Sequence, residues 1–326
     1  STPKPSSAAS DVYKRQSVQM EPRISVVIPL YNKEREIAQT LRSVLGQHTA
    51  PLEVIVVDDG STDAGPDVVR SFDSPLIRMI VQTNRGVSAA RNRAIAEARG
   101  DYVALLDGDD RWHADYLTEI HRLIAAYPGC GAYGTAFYIR SADGMVQGDT
   151  PRREGPVDFF REALSRYVLI PSATTLRRDL VVEAGGFPEG MKLGEDQYLW
   201  TKIARRAPIC FSPKPLACYS RTAQNRSAAI YTPENSLYSF EELYKPDAAD
   251  LSNEYIARVA LGKALVASAK GGTAEARRAA RFFRYTRRSR RILWKLRLLN
   301  LLPARWRWPL LRGYNALAWR IAHKGL

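Results

Sequence analysis

The stretch from Tyr102 to Trp112, YVALLDGDDRW, constrains the fold of this chain more than any other. Its first five residues are apolar and predict a short strand that is buried on both faces, as in a parallel sheet covered by helices. Three carboxylates follow, Asp107, Asp109 and Asp110, with Gly108 allowing a tight turn. At the carboxyl end of a parallel strand, these side chains would lie in the crevice where open α/β sheets bind ligands.

Carboxylates packed this closely repel one another unless a cation lies between them. Oxygen ligands at this spacing suit Mg²⁺ or Mn²⁺ that carries the phosphates of a substrate. The alternative is an ordinary Asp/Gly turn that caps the next helix, and a short motif alone does not decide between the two. The interpretation therefore depends on the rest of the chain.

The alternation of strands, polar loops and helices predicts a doubly wound α/β fold. Three β-branched runs precede the opening stretch, at residues 24–29, 52–57 and 77–81, and each is followed by a polar loop and a helical segment. Four such units call for a mostly parallel sheet with right-handed crossovers. Polar residues end all four strands and should meet at one rim: Tyr31 and Glu34, Asp58 and Asp59, Asn84 and Arg85, Asp107 and Asp109.

The composition fits a globular protein in a reducing compartment. The 326 residues are 45% hydrophobic, which is enough for a sizeable core. The three cysteines, which are odd in number and widely spaced, match neither a disulfide framework nor a zinc pattern. The sequence contains no GxGxxG or GxxxxGK[ST] motif, so neither a dinucleotide site nor a P-loop is predicted.

The two ends of the chain differ in character from its centre. Residues 1–21 are rich in Ser, Ala and Pro and lack an apolar core segment, so we expect disorder and neither a signal peptide nor a membrane anchor. Fifteen Lys and Arg follow Glu275 without a single acidic residue. Because the net charge of the whole chain is +14, the first 275 residues are nearly neutral and the basicity belongs to the C-terminal extension.

Residues 281–326 interleave arginine with tryptophan and leucine, and no apolar run is long enough to span a bilayer. A basic, amphipathic, Trp-rich segment of this kind is typical of a helix that lies on an anionic membrane surface. We therefore predict a peripheral protein on the inner face of the cytoplasmic membrane. A solvated basic helix or an oligomer contact is the alternative. Residues 231–280 have helical periodicity and are expected to form packing helices.

Five motifs in order resemble the family 2 glycosyltransferases of GT-A fold, which transfer a sugar from a nucleotide diphosphate donor. They are SVVIPLYNKE (25–34), EVIVVDDGSTD (53–63), NRGVSAARN (84–92), GDYVALLDGDD (100–110) and GEDQYLW (194–200). The resemblance covers about residues 24–221. It implies a catalytic domain over residues 22–230, with a Rossmann-like donor half (22–112) and an acceptor half (113–230).

The resemblance also implies roles for individual residues. The nucleotide-sugar site would comprise Pro29, Leu30, Tyr31, Glu34, Asp58, Asp59, Asn84, Arg91, Asp107, Gly108 and Arg221. Tyr31 would lie against the base, Asp59 would accept a hydrogen bond from a uracil ring, and Asp107 would contact the ribose. Asp109 would bind the metal. For Arg91, a solvated helical arginine is the alternative to a diphosphate contact. Arg221 belongs to a loosely matching Y-R-x-x-x-x-S segment that ends at Ser227 and lacks the usual histidine of the family.

Asp196 would be the general base of inverting transfer, with Glu195 as its neighbour. On sequence alone, two carboxylates in a first helical turn also fit ordinary capping. The predicted reaction moves a sugar from a nucleotide diphosphate, with uridine favoured, to a hydroxyl of a glycan or lipid-linked acceptor. A nucleotidyltransferase is the alternative enzyme, and a nucleic-acid-binding protein that uses the basic tail is the alternative binding module. The acidic rim argues against nucleic acid, because phosphate backbones avoid carboxylates.

Overall fold

The computed structural model describes residues 21–222 and 238–324, with side chains as far as Tyr314. The segment predicted to be disordered, residues 1–21, lies outside the described residues except for Glu21. Ser227 of the loosely matching segment also lies outside them.

The donor half consists of four parallel strands joined by helices, as predicted. The strands are β1 (Ile24–Leu30), β2 (Glu53–Asp58), β3 (Ile77–Val81) and β4 (Tyr102–Leu105), in the order β3-β2-β1-β4. The helices are α1 (Ile37–Leu45), α2 (Gly65–Arg70) and α3 (Val87–Glu97). Strand β1 continues one residue beyond Pro29, where we expected it to stop, because Pro29 and Leu30 stay in register with Val57 and Asp58 of β2.

The acceptor half extends the same sheet, but some of its strands run antiparallel to their neighbours. After β5 (Arg111–Trp112) and α4 (Tyr116–Ala126) come β6 (Ala132–Ser141), β7 (Gly144–Gln147), β8 (Gly155–Val157), α5 (Phe159–Glu162), β9 (Thr174–Arg177), α6 (Arg178–Glu183), α7 (Glu195–Ala204) and β10 (Ile209–Ser220). Strand β9 pairs antiparallel with both β4 and β6, and β10 runs parallel to β6. The ten-stranded sheet is therefore parallel in its donor half and mixed in its acceptor half.

Alternate side chains of the donor strands pack into two hydrophobic cores, one on each face of the sheet. In β1, Val26 and Ile28 pack with helices α1 and α4, whereas Val27 packs with helix α3 on the other face. Side chains that alternate along a strand point to opposite faces, so a strand between two helical layers must be apolar at every position. This arrangement leaves only the strand ends available for polar residues.

The C-terminal helices form a third cluster that includes the start of the predicted tail. They are α8 (Ser252–Ala269), α9 (Thr273–Phe282), α10 (Arg290–Leu301) and α11 (Ala304–Lys324). The predicted boundary at residue 280 falls inside α9. Phe283, Leu293 and Leu296 pack with Ile256 of α8 in one cluster. The expectation of a tail that is separate from the packing helices is therefore wrong, because burial of these apolar side chains joins the two segments.

In the described ranges, 21–222 and 238–324, no helix is both long enough and apolar enough to cross a membrane.

Candidate active site

The loops after β1 and β2 are fastened to each other at the rim of the sheet. Asn32 adopts a left-handed conformation with a φ of 51°, and its side-chain oxygen accepts a hydrogen bond from the Thr62 backbone N–H at 2.7 Å. Asn and Asp tolerate this conformation better than other residues with a side chain. The Glu34 carboxylate accepts a hydrogen bond from the Ala64 N–H at 3.2 Å. Glu34 thus holds the second loop, and it lies on the exposed side of the rim.

The nucleotide-pocket residues predicted at the end of β1 divide into a core residue and surface residues. Leu30 is fully buried in the core, so its side chain does not face the crevice, and we correct its assignment as a ligand contact. Its carbonyl oxygen instead accepts a hydrogen bond from the Asp59 N–H at 2.8 Å. Tyr31, the next residue, has an exposed side chain, as stacking against a ligand requires. Pro29 lies next to the loop after β4, with its carbonyl oxygen beside Gly108.

Asp58 and Asp59 are both buried, and both bind backbone N–H groups. Asp58 accepts a hydrogen bond from the Ser61 N–H at 2.9 Å and thereby shapes its own turn. Asp59 accepts from the Arg85 N–H at 2.9 Å and the Gly86 N–H at 2.7 Å, and also from the Gln82 side chain at 2.7 Å. Asp59 therefore fixes the loop after β3. Asn84 is an exposed residue of that loop.

The two carboxylates of the D-x-D motif each face a cation of the protein itself. Asp109 lies 2.8 Å from the Lys33 ammonium group, and both side chains are about nine-tenths buried. Asp107 accepts a hydrogen bond from Arg91 at 2.7 Å. Gly108 between them has little free space, because a Cβ atom there would approach the Pro29 carbonyl oxygen to 3.2 Å.

Arg91 connects the donor half to the acceptor half. Its guanidinium group is 3% exposed and pairs with Asp107 at 2.7 Å and with Glu195 of α7 at 3.2 Å. The guanidinium also lies 5.1 Å from the centre of the Phe187 ring. Burial alone would lower the pKa of Arg91, but the charges of Asp107 and Glu195 raise it, so the side chain stays protonated. The alternative of a solvated arginine is therefore wrong.

Asp196 has the electrostatic character of a base. It follows Glu195 in the first turn of α7, and its carboxylate accepts a hydrogen bond from the Gln197 N–H at 2.8 Å. Burial and, next, the charge of Glu195 raise the pKa of Asp196 to about 7. An ordinary capping carboxylate is stabilised in its charged form by the helix N-terminus, which would lower its pKa. The shift is therefore opposite to the one that simple capping produces.

The segment before α7 is held by Asn92 on α3. The Asn92 amide group donates a hydrogen bond to the Phe187 carbonyl at 2.9 Å and accepts one from the Phe187 N–H at 2.8 Å. Gly186 has a φ of +70°, and a Cβ atom there would lie 2.6 Å from Asn92. Helix α3 therefore positions the segment that leads into Glu195 and Asp196.

Sequence reasoning missed the role of Asp110, which ties together three distant segments of the chain. The buried carboxylate accepts hydrogen bonds from the Ser172 hydroxyl at 2.5 Å and the Ser220 N–H at 2.7 Å. Ser172 in turn accepts one from the Asp107 N–H at 3.0 Å. Burial, followed by the charges of Asp109 and Asp107, raises the pKa of Asp110 well above its usual value. The third acidic residue of DGDD was the only sequence signal for this role.

Arg221 directly follows β10 at the same rim. Its backbone N–H donates to the Arg140 carbonyl at 2.7 Å. Its side-chain Nε is buried and has no hydrogen-bond partner among the residues that the structure describes.

The oxygen ligands at this rim suit a metal ion that binds together with a substrate better than a metal ion held by the protein alone. Asp107 and Asp109 offer the hard oxygen ligands that Mg²⁺ and Mn²⁺ prefer. Within residues 21–222 and 238–324, however, no group of three or more His, Cys, Asp or Glu could hold a metal ion. Mg²⁺ usually binds through one or two carboxylates together with substrate phosphates and water, and Asp107 and Asp109 could supply the carboxylates of such a site.

Comparisons with known proteins agree with the motifs. The sequence model described as "Glycosyl transferase family 2" matches residues 25–184. Glycosyltransferase GlyA of Streptococcus pneumoniae is 31% identical over 197 residues, which are 56% of this chain and 28% of that protein. The succinoglycan biosynthesis protein ExoO of Rhizobium meliloti is 38% identical over 112 residues, which are 34% of this chain and 31% of that protein. The chain thus spans less than a third of the length of either relative.

The fold is shared with a solved structure. S. aureus TarS 1-349, in complex with UDP-GlcNAc, superposes with a TM-score of 0.62 at 22% identity and covers 88% of each chain. The sheet described above, parallel in one half and mixed in the other, is therefore a GT-A fold. Residues 25–184 of the chain thus form a domain that matches glycosyltransferase family 2.

Proposed function

We propose that this protein is an inverting glycosyltransferase that moves a sugar from a nucleotide diphosphate sugar to a hydroxyl group. The observation that carries the proposal is the placement of Arg91 between Asp107 and Glu195. This buried ion pair joins the strand-end carboxylate of the donor half to the helix that carries Asp196. The proposed donor site and a carboxyl group of raised pKa, Asp196, thus lie on the two segments that Arg91 joins.

A uridine nucleotide is the donor that the pocket favours. The Tyr31 ring is exposed and is proposed to stack on a base. Each carboxylate oxygen can accept about two hydrogen bonds, and Oδ2 of Asp59 accepts one, from Gly86. Asp59 can therefore also accept one from a ring N–H. Asn84 and Arg221 lie at the same rim, and the Arg221 side chain is proposed to contact the donor diphosphate.

A divalent cation, Mg²⁺ or Mn²⁺, is proposed to bind Asp109 together with the donor diphosphate. When bound, such a cation would neutralise the charge that develops on the departing nucleotide diphosphate. Asp107 remains paired with Arg91 and is proposed to face the ribose.

Asp196 is proposed to remove the proton of the acceptor. The acceptor oxygen forms a bond to the anomeric carbon, the bond from that carbon to the diphosphate breaks, and the acceptor proton moves to Asp196. One displacement of this kind inverts the configuration at the anomeric carbon. A base with a pKa near 7 is well matched to this transfer at neutral pH. Glu195 is held by Arg91 and supports the position of Asp196. The acceptor is proposed to be a glycan or a lipid-linked sugar.

The test is a screen of nucleotide sugars for release of nucleotide diphosphate, with Mg²⁺ or Mn²⁺ and with a chelator. We expect at least one UDP-sugar to be hydrolysed slowly, and the release to require metal. The Asp109→Ala variant should abolish the release, because its carboxylate is proposed to hold the cation. Activity that is indifferent to chelator and to this substitution would remove the metal from the proposal. No release from any nucleotide sugar, together with no nucleotide binding, would contradict the function itself.

The outer face of helices α10 and α11 is proposed to lie on an anionic membrane, at the inner face of the cytoplasmic membrane. Leu293, Leu296 and Leu299 of α10 are buried against the body of the protein. Apolar side chains on the outer face are exposed: Trp294, Leu298, Leu301, Trp306, Leu310 and Tyr314. Exposed arginines and lysines flank them, and no acidic residue follows Glu275. Apolar rings bordered by cations complement lipid headgroups of negative charge.

Point variants test this surface better than truncation, because the start of the tail belongs to the helical cluster. Changing both Trp294 and Leu298 to Ala should reduce co-sedimentation with anionic vesicles at least about fivefold, since each buried apolar side chain contributes to binding. The thermal unfolding midpoint should change little. Leu296→Ala is the matched control: it should lower stability by about 2–5 kcal/mol and leave vesicle binding of the folded protein unchanged. Equal vesicle binding by the double variant and the wild type would contradict the proposal.

A further inference from the structure

The partner of the proposed metal ligand is a lysine from a different loop. The Lys33 ammonium group lies 2.8 Å from Oδ2 of Asp109, and the two side chains are 12% and 13% exposed. Lys33 belongs to the loop between β1 and α1, which also carries Tyr31 and Asn32. The ion pair therefore fastens the proposed nucleotide loop to the D-x-D loop.

The surroundings of Asp109 explain why this carboxylate has a cationic partner. Asp107 and Asp110 lie two residues before it and one residue after it, so three carboxyl groups crowd this turn. Arg91 compensates Asp107, and Ser172 and Ser220 satisfy Asp110. Lys33 supplies the compensating charge at Asp109 itself. A second cation that approaches Asp109 would therefore compete with Lys33 for this carboxylate.

We propose that Lys33 and the divalent metal ion are alternative partners of Asp109, so that the metal must displace the Lys33 ammonium group in order to bind. The inference rests on the proposed metal role of Asp109. A divalent cation and an ammonium group on the same carboxylate repel each other, and the partial burial of the pair reduces screening of that repulsion by water. The site around Gly108 is also narrow, with Cγ of Lys33 only 3.6 Å from the position of a Cβ atom there. Arrival of the metal therefore breaks the ion pair between the Lys33 loop and the loop after β4.

The experiment measures Mn²⁺ binding by calorimetry, in the presence of UDP, for the wild type and for Lys33→Met. Removing the competing charge should tighten Mn²⁺ binding about tenfold, the scale of a lost hydrogen bond to a charged group. The stabilisation of the protein against heat by Mn²⁺ should increase in the same variant. Lys214→Met is the matched control, because Lys214 pairs with Glu119 at 2.7 Å and not with Asp109, and its loss should leave Mn²⁺ affinity unchanged.

Two further variants keep the test decisive. Lys33→Arg retains the charge and should bind Mn²⁺ like the wild type. Lys33→Gln retains a hydrogen-bond donor without the charge and should bind Mn²⁺ more tightly, which covers the case in which the Met variant does not fold. Equal or weaker Mn²⁺ binding by the uncharged variants, with Asp109→Ala still losing the ion, would overturn this inference alone. Absence of Mn²⁺ binding from every variant and the wild type would overturn the metal role and this inference together.

Discussion

The carboxylates of the donor half and those of the acceptor half have different surroundings. On the donor side, Asp59 accepts three hydrogen bonds, Asp107 pairs with Arg91 and Asp109 pairs with Lys33. On the acceptor side, burial and Glu195 raise the pKa of Asp196 to about 7. Compensated carboxylates are suited to holding a ligand, whereas a carboxylate that binds a proton near neutral pH is suited to proton transfer.

Arg91 contacts carboxylates of both halves, yet the electrostatic surroundings of the two halves remain different. It contacts Asp107 on one side and Glu195 on the other, and it also lowers the pKa of Asp196, but less than burial and Glu195 raise it. The charge of Glu195 is thus balanced by Arg91. The neighbours of Asp196, by contrast, still raise its pKa. Chemical type alone does not assign a role to a carboxylate, because the neighbouring groups decide which protonation state it holds.

Replacing Asp196 with Asn should have the largest effect on this contrast. The amide keeps the shape of the carboxylate but cannot accept a proton, so transfer should slow by about two to four orders of magnitude. The measurement is the rate of nucleotide diphosphate release from the best sugar donor. A variant with at least half of the wild-type rate would show that the acceptor half does not supply the base.

Removing the bridge between the halves should mainly affect stability. Arg91→Met leaves Asp107 and Glu195, which are 27% and 12% exposed, without their buried cation, and this costs up to about 3–5 kcal/mol. Urea unfolding followed by fluorescence measures this loss. Arg85→Met is the matched control: Arg85 pairs with Glu189 at 2.8 Å, but its side chain is 63% exposed, so its loss should cost less than about 1 kcal/mol. Similar costs for the two variants would remove the energetic distinction between the buried bridge and a surface pair.

The pH dependence of turnover should report the acceptor half alone. Because the pKa of Asp196 is raised to about 7, the deprotonated base is populated above that pH and is lost below it. Turnover should therefore fall about tenfold per pH unit below pH 7 and level off above it. UDP affinity should not follow the same curve. A turnover that is flat between pH 5.5 and pH 8 would contradict the assignment.

The donor half was predictable from sequence because its interactions are local in pattern. Each strand, loop and helix forms a repeating unit, and parallel strands bring the polar residues at their ends to one rim. The acceptor half depends on pairings that sequence does not encode locally. Strand β9, for example, inserts antiparallel between β4 and β6, which lie far before it in the chain. The region 141–167, which is polar and poorly periodic in sequence, contains two short strands and a short helix with buried Phe159 and Phe160.

The candidate site likewise contains residues that motifs predicted and residues that they did not. Asp107, Asp109 and Asp196 were predicted as site residues from motifs, and Arg91 joins the segments that carry Asp107 and Asp196. Lys33 and Asp110 were missed because their partners lie 76 and 110 residues away, in Asp109 and Ser220. Arg91 was identified, but its burial was not, since a helical sequence of small residues does not reveal which face a loop will cover. Leu30 was misassigned because a motif does not distinguish a core side chain from a ligand contact.

The most direct test of the division between the halves is a calorimetric titration of UDP, with Mn²⁺ present, into Asp109→Ala and Asp196→Asn side by side. The account predicts that Asp109→Ala loses metal-dependent UDP binding, whereas Asp196→Asn binds UDP with the affinity of the wild type. Loss of UDP binding in Asp196→Asn, or wild-type binding in Asp109→Ala, would contradict it.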